Sequence, residues 1–318
     1  MSETIFISPP ADSSSHPVPF RKRILPAIWG HVRGAVITSV PNFILRRHPA
    51  LNAVPSEMLT SDSRVMRDRL DLNPQEHLEF LARYYPNWAK YFPHPFHKKF
   101  LELHISWRLL RVEPSETYLD LAGGLHTYAG RLTAGKRLLN DRYVNPILRD
   151  ELTMQGVGLI ESPAQCMPVD DCSIDKISCH HSFEHFRDDG DTAAIREVQR
   201  VLRPGGKACI VPIFLARGYF EIVDLPWTPR SDRHATRVVD PTSPFPGGSF
   251  SGGFARVYSL ESFRERVLEA IDLKRFRVTL VEIFMQGKSL PDRDLSCHRT
   301  DPAVDFPYRA LLMERNST

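Results

Sequence analysis

From residue 117 onward the chain alternates short apolar runs with amphipathic stretches. Tyr118–Leu121, Arg137–Leu139, Val157–Ile160, Ile174–Cys179 and Lys207–Ile213 each read as a short strand. Between the last two, Ile195, Val198 and Leu202 recur on one helical face, and Pro204, Gly205 and Gly206 follow as a stop and turn. Strands that alternate with helices in this way predict an α/β unit with a parallel sheet. Ser259 is placed to cap a helix carrying Leu260, Phe263, Val267 and Ile271 on one face. Arg275–Phe284 and Tyr308–Met313 read as two final strands.

Before residue 117 the pattern is helical. Asn73 can cap a helix that opens Pro74-Gln75-Glu76, and Leu78, Leu81 and Tyr85 follow at helical spacing. Phe100, Leu103, Trp107 and Leu110 mark a second helix. The aromatic stretch between them, with Trp88, Tyr91 and Phe92, is expected to pack between helices rather than to cover a pocket. Residues 1–19 are polar and rich in Pro and Ser, the composition of a disordered tail. Residues 20–115 form a basic and aromatic helical extension, and 116–318 an α/β domain interrupted by an irregular insert at 214–256, where Pro, Gly, Ser, Arg and Asp dominate.

Composition narrows the classes. In 318 residues, 41 basic and 38 acidic side chains leave a net charge of only +3, which gives no strong nucleic-acid signal. Five cysteines without a CxxC pair argue against a disulfide scaffold or a closed zinc site, and Cys179 and Cys209 are expected as buried thiols. No secretory signal is read at the start and no apolar run is long enough to span a bilayer, so the expected location is cytoplasmic. Arg21–Arg23, Arg33, Arg46 and Arg47, mixed with Ile24, Leu25, Ile28 and Trp29, leave room for peripheral membrane contact through the N-terminal arm. Oligomeric state is not legible.

The succession LDLAGG, LLND, MPVDDCSIDKIS, FEHF and EVQRVLRPGG resembles the class I S-adenosylmethionine-dependent methyltransferases, of the methyltransferase type 11 kind, over about 120–318. The resemblance implies a Rossmann-like, seven-stranded, mostly parallel sheet with an antiparallel last strand and, here, a helical N-terminal extension. It implies S-adenosylmethionine as cofactor, with Asp120 closing the first strand and Ala122, Gly123 and Gly124 forming the turn that lets the ligand approach bare backbone. Asp141 then stands where an acid receives the ribose hydroxyls, and Met167 where an apolar side chain faces the adenine. The chain departs from the family pattern at Ala122 and His126, which replace glycines, and at Pro163, which replaces an acid near the adenine amino group.

His181 and His185 are the candidate catalytic bases, His181 first because it ends the fourth strand. Glu184 is placed to orient one of them, and His234 in the insert is a conditional candidate. HSFEH lacks the HExxH order of a zinc enzyme, so no metal is expected. The function implied is methyl transfer to a small or lipid-linked acceptor on oxygen. Two alternatives stay open: a non-methylating enzyme on this fold, and a non-enzymatic scaffold subunit with a degenerate cofactor site.

Overall fold

The computed structural model describes residues 52, 54, 65–90, 92, 94–124, 127–223, 228–239, 253–291 and 307–317. The N-terminal arm, the 1–19 tail and His126 lie outside them. A central sheet runs in the order β1-β10-β12-β6-β5-β2-β3-β4. Its strands are β1 (Met66–Leu72), β2 (Thr117–Leu121), β3 (Lys136–Asp141), β4 (Val157–Glu161), β5 (Ile174–His180), β6 (Leu202–Val211), β10 (Phe276–Met285) and β12 (Arg309–Arg315). β12 runs antiparallel to both neighbours, and the other pairings along this path are parallel.

The seven expected strands are all present. An eighth, β1, was not legible: its sequence MRDRLDL is mostly charged, and it closes the edge by pairing in parallel with β10. Charged residues on an edge strand discourage pairing with other chains. The two-residue strand β11 (Lys288–Ser289) folds back on β10.

Alternation along the strands divides the core into two layers. Leu119, Leu121, Ile177, Ala208 and Ile210 pack with helix α4 (Gly190–Val201) on one face. Tyr118, Leu139, Cys209 and Val211 pack with helices α1 (Pro74–Tyr84) and α2 (Lys98–Leu110) on the other. Helix α3 (Pro146–Met154) adds Leu152 to that second layer. Asn73 caps α1 through its side-chain oxygen, 2.8 Å from the Gln75 amide. The described aromatic residues of the 86–96 stretch pack against this second layer: Trp88, Phe92 and Phe96 lie on it, with Phe92 5.2 Å from Phe100, ring centre to ring centre, while Tyr91 lies outside the described residues. The helices at 74–110 thus build one face of the sheet's own core.

The described residues of the insert are not irregular. β7 (Phe220–Val223), β8 (Thr236–Val239) and β9 (Phe254–Val257) form a second sheet in the order β8-β7-β9. It has its own core of Phe214, Phe220, Ile222, Val238, Ala255 and Val257. Each strand has four residues, too short for alternation to stand out among the Pro, Gly and charged residues around it. After β9, helix α5 (Leu260–Phe263) starts at a Ser259–Ser262 capping box and continues as a π-helical turn over Arg264–Leu268.

Candidate functional site

The carboxyl ends of β2, β3, β4 and β5 meet around a cavity of about 450 Å³. That volume lies within the range of small-molecule sites, about 300–1,000 Å³. Ala122, Asp141, Gln165, Ser182 and His185 are among the residues that line it.

Asp120 is wholly buried and turned inward. Its Oδ2 accepts hydrogen bonds from the Thr127 hydroxyl at 2.6 Å and the Tyr128 amide at 2.8 Å. Its Oδ1 lies 3.4 Å from His180 Nδ1. Asp120 therefore fixes the turn after β2 and does not line the cavity. Gly123 is required by the same packing: a Cβ there would stand 2.6 Å from Asp120 Cγ and 2.8 Å from Leu139 Cδ1.

Gly124 differs. Its φ is +55°, a left-handed conformation natural to glycine, and a Cβ would meet nothing nearer than Asp141 Oδ2 at 3.7 Å. Ala122 also sits at positive φ, +52°, in the place of the usual glycine. Its carbonyl accepts from the Ser182 hydroxyl at 2.8 Å, and the same hydroxyl lies 3.1 Å from the His180 carbonyl. Ser182 thereby ties the β2 turn to the β5 turn, a role that its sequence position did not signal.

Asp141 ends β3 on the cavity wall. Its two oxygens accept from the Gly124 amide at 3.1 Å and the Tyr143 amide at 3.2 Å. Burial still outweighs these bonds and raises its pKa above the ordinary carboxylate value. A ligand that donates hydroxyl hydrogens would relieve that desolvation. Neighbouring Asn140 donates to the Ile160 and Ser162 carbonyls, while its buried Oδ1 has no hydrogen-bond partner among the described residues.

Beyond β4, Pro163 is on the lining and offers no side-chain acceptor. Two residues on, Gln165 lines the same wall and donates its Nε2 to the Gly190 carbonyl at 3.3 Å. Glu161, one strand-end earlier, instead pairs with Arg149 at 2.6 Å. Met167 is buried in the core cluster and is not on the cavity lining.

The histidines separate. His180 is buried, with Nε2 2.9 Å from the Ser106 hydroxyl. His181, at φ +51°, turns toward α2: Nδ1 lies 3.1 Å from Glu102 Oε1, and Nε2 lies 3.3 Å from Lys98 Nζ. It is not on the cavity lining. Glu102 is fully buried; burial would raise its pKa, but Lys99, His181 and Tyr308 together outweigh that and hold it well below the usual range. His185 does line the cavity. Its Nδ1 meets the Phe254 carbonyl, which can only accept, so Nδ1 carries the hydrogen. Burial lowers its pKa below the ordinary histidine value, against the opposing pull of Glu184. Glu184 is buried, and its Oε1 lies 3.6 Å from Nε2 of both His181 and His185. His234 is exposed and is not on the cavity lining.

The wall from Phe186 to Asp188 is held by the insert. Arg256 on β9 is fully buried and donates to the Phe186 carbonyl at 2.8 Å and the Asp188 carbonyl at 2.9 Å. It also pairs with buried Asp191 at 2.8 Å. Arg266 joins Asp191 at 2.7 Å and Asp232 at 3.0 Å. Nothing in the sequence signals these long-range partners. Among the described residues no group of His, Cys, Asp and Glu is arranged to hold a metal ion, and no helix is long and apolar enough to cross a membrane.

Residues 104–210 match the family model described as the methyltransferase domain. The matched span runs from within α2 to within β6 and contains all the turns that line the cavity. No curated protein matches the chain. Among solved structures, the YcgJ protein of Bacillus subtilis is 16% identical, with 69% of this chain and 99% of that one covered at a TM-score of 0.43. The 1,6-didemethyltoxoflavin-N1-methyltransferase of Burkholderia thailandensis, solved with bound 1,6-didemethyltoxoflavin and S-adenosylhomocysteine, is 12% identical over 78% and 93% at 0.42. A geranyl diphosphate methyltransferase solved with GPP and sinefungin is 14% identical over 67% and 76% at 0.41.

Proposed function

We propose that this chain, whose residues 104–210 match a methyltransferase domain model, is a class I S-adenosylmethionine-dependent methyltransferase that moves a methyl group to a hydroxyl of a small or lipid-linked acceptor with His185 as the base. The observation that carries this reading is the pairing of a desolvated Asp141 on the cavity wall with a left-handed turn, in which Ala122 lines the same cavity and the Gly124 amide donates to Asp141. S-adenosylmethionine, when bound, supplies a methyl group activated by its sulfonium. Asp141 fits the ribose hydroxyls, the 122–124 turn fits the close approach of a ligand to backbone, and the Gln165 amide oxygen fits an exocyclic amino group. Ala122 does not spoil the cradle, because it already adopts the left-handed conformation.

His185 supports proton removal better than His181. Nδ1–H is committed to the Phe254 carbonyl, which makes Nε2 the proton-accepting nitrogen. The lowered pKa keeps the ring neutral near pH 7. Once protonated at Nε2, the ring carries its positive charge beside the Glu184 carboxylate. His181, held between Glu102 and Lys98, is a positioning residue in this reading. The lipid-linked form of the acceptor draws on the basic and apolar 21–49 arm alone.

Calorimetry of the full chain with S-adenosylhomocysteine tests the cofactor assignment. We expect binding that weakens in Asp141→Asn. A folded native protein that takes up neither this ligand nor S-adenosylmethionine overturns the reading in favour of a scaffold subunit; a different co-purifying metabolite in the cavity favours a non-methylating enzyme. For the base, single-turnover transfer should fall on the acid side of a pKa below about 6.5 and slow in His185→Gln at equal cofactor occupancy. An unchanged rate removes His185.

A further inference from the structure

A second cavity, of about 330 Å³, lies at the opposite end of the sheet. It sits where β5 and β10 begin, where β12 ends, and against the C-terminal half of α4. Its lining carries four arginines, Arg196, Arg200, Arg275 and Arg315, against one carboxylate, Asp171. The methyl-transfer reading uses none of them.

The four guanidiniums are not equivalent. Arg200 is neutralised in place, 2.6 Å from Asp171 and 2.7 Å from Glu197, with further bonds to the carbonyls of Val169 and Met167. Arg315 is only 9% exposed and has no such partner. Its Nη1 meets the carbonyls of Gln199 and Leu202 and, at 3.1 Å, the Cys172 sulfur. No carboxylate stands within ion-pair distance of it among the described residues. Arg196 and Arg275 are exposed, and neither guanidinium has a described partner.

Carbonyl dipoles solvate a buried guanidinium but do not cancel its charge. A buried cation without a counter-charge is costly, and the cost falls when an anion occupies the adjoining space. Arginine forks match phosphate oxygens in pairs, with stronger and more directional bonds than a neutral donor gives. The cavity is at the lower end of the volumes of small-ligand sites, about 300 Å³, which suits a compact polyanion.

We propose that this cavity binds a small phosphate or pyrophosphate compound through Arg196, Arg275 and Arg315. Arg315 provides the fixed, buried charge, and the two exposed arginines close on the ligand from α4 and from the start of β10. Cys172, exposed and beside Arg315, reports occupancy because a bound anion covers its sulfur. The proposal is independent of the methyl-transfer reading, since the two cavities share no residue.

The probe is inorganic pyrophosphate, titrated into the full-length protein at low ionic strength, with alkylation of Cys172 by neutral iodoacetamide followed by mass spectrometry. Binding should be salt-sensitive and should slow alkylation of Cys172. The double variant Arg196→Ala/Arg275→Ala, changed only at exposed positions, should keep its melting temperature and bind at least about tenfold more weakly. Saturating S-adenosylhomocysteine should leave the pyrophosphate affinity unchanged. No binding by the native protein, equal affinity in the double variant, or competition with S-adenosylhomocysteine would each overturn the proposal.

Discussion

The two walls of the main cavity are built by different means. On one side, the β2 turn and Asp141 are held by neighbours close in sequence: Asp120 bonds Thr127 and Tyr128, and Asp141 bonds Gly124 and Tyr143. On the other, Phe186 and Asp188 are held by Arg256 and His185 by Phe254, both about 70 residues away on the insert's own sheet. The first wall is set by the β2 and β3 turns within the central sheet, with Ser182 tying it to the end of β5. The second exists only if the insert folds and docks. The insert therefore acts as a rigid support for the ligand wall, and damage to the two walls should look different.

The largest effect is expected at Arg256. Arg256→Met removes the donor to two wall carbonyls and leaves Asp191 partly uncompensated in the interior, although Arg266 and Tyr258 still reach it. Breaking a buried pair by removing one partner costs about 3–5 kcal/mol. Chemical denaturation should show a loss near the lower end of that range, and S-adenosylhomocysteine affinity should fall with it. A variant of native stability and native affinity would show that the insert does not brace the wall.

Gly123→Ala comes next, and it tests the local wall. The new methyl group would collide with Asp120, whose carboxylate cannot retreat without breaking its bonds to Thr127 and Tyr128. Overpacking of this kind costs about 1–3 kcal/mol. The measurement is the denaturation midpoint without ligand. If stability is retained and only ligand affinity falls, Gly123 faces the ligand and not the core.

Asp141→Asn should separate binding from folding. Burial raises the Asp141 pKa, so protonation is favoured in the folded state. Its contribution to stability is therefore greatest below the unfolded value and is lost as pH rises through the folded one. At neutral pH Asn removes the desolvation cost of the carboxylate, which offsets the loss of one of its two amide bonds. The melting temperature should hold, while affinity for S-adenosylhomocysteine falls by about tenfold or more through lost ribose hydrogen bonds. A large fall in melting temperature would make Asp141 a structural residue of the turn.

The same division explains what the sequence disclosed. The strand and helix pattern carried the seven central strands, and a local motif carried Ala122 and Asp141 to the cavity lining, with Gly124 bonded to Asp141 beside it. The roles of Asp120 and Met167 were less legible, because whether a strand-end side chain turns inward or toward a ligand depends on its packing partners. His181 looked the better base because it follows directly on β5; its positive φ instead turns it toward Glu102 and Lys98 on α2. Arg256 and Ser182 carried no signal, since their partners lie 70 and 60 residues away. β1 was hidden because pairing, and not apolar alternation, holds it at the edge.

The smallest effect is expected at Gly124, and it decides how far the local wall faces a ligand. Gly124→Ala meets no steric obstacle among the described residues, where the added Cβ has only Asp141 Oδ2 within 4 Å, at 3.7 Å. The cost is that of a left-handed conformation, roughly 1 kcal/mol for a non-glycine residue. The turn already tolerates this once, at Ala122 with φ +52°. Folding should therefore weaken only slightly, far less than in Gly123→Ala one position earlier. If the turn presents bare backbone to the cofactor, the methyl group enters the ligand's space, and S-adenosylhomocysteine affinity should fall by more than the stability loss predicts. If the turn faces the ligand, Gly124→Leu should deepen the affinity loss with little further change in melting temperature, because among the described residues only Asp141 Oδ2 stands near the added Cβ. Unchanged affinity in a folded Gly124→Leu protein would turn this stretch into a structural turn like the one at Gly123, and the contrast between adjacent glycines would disappear.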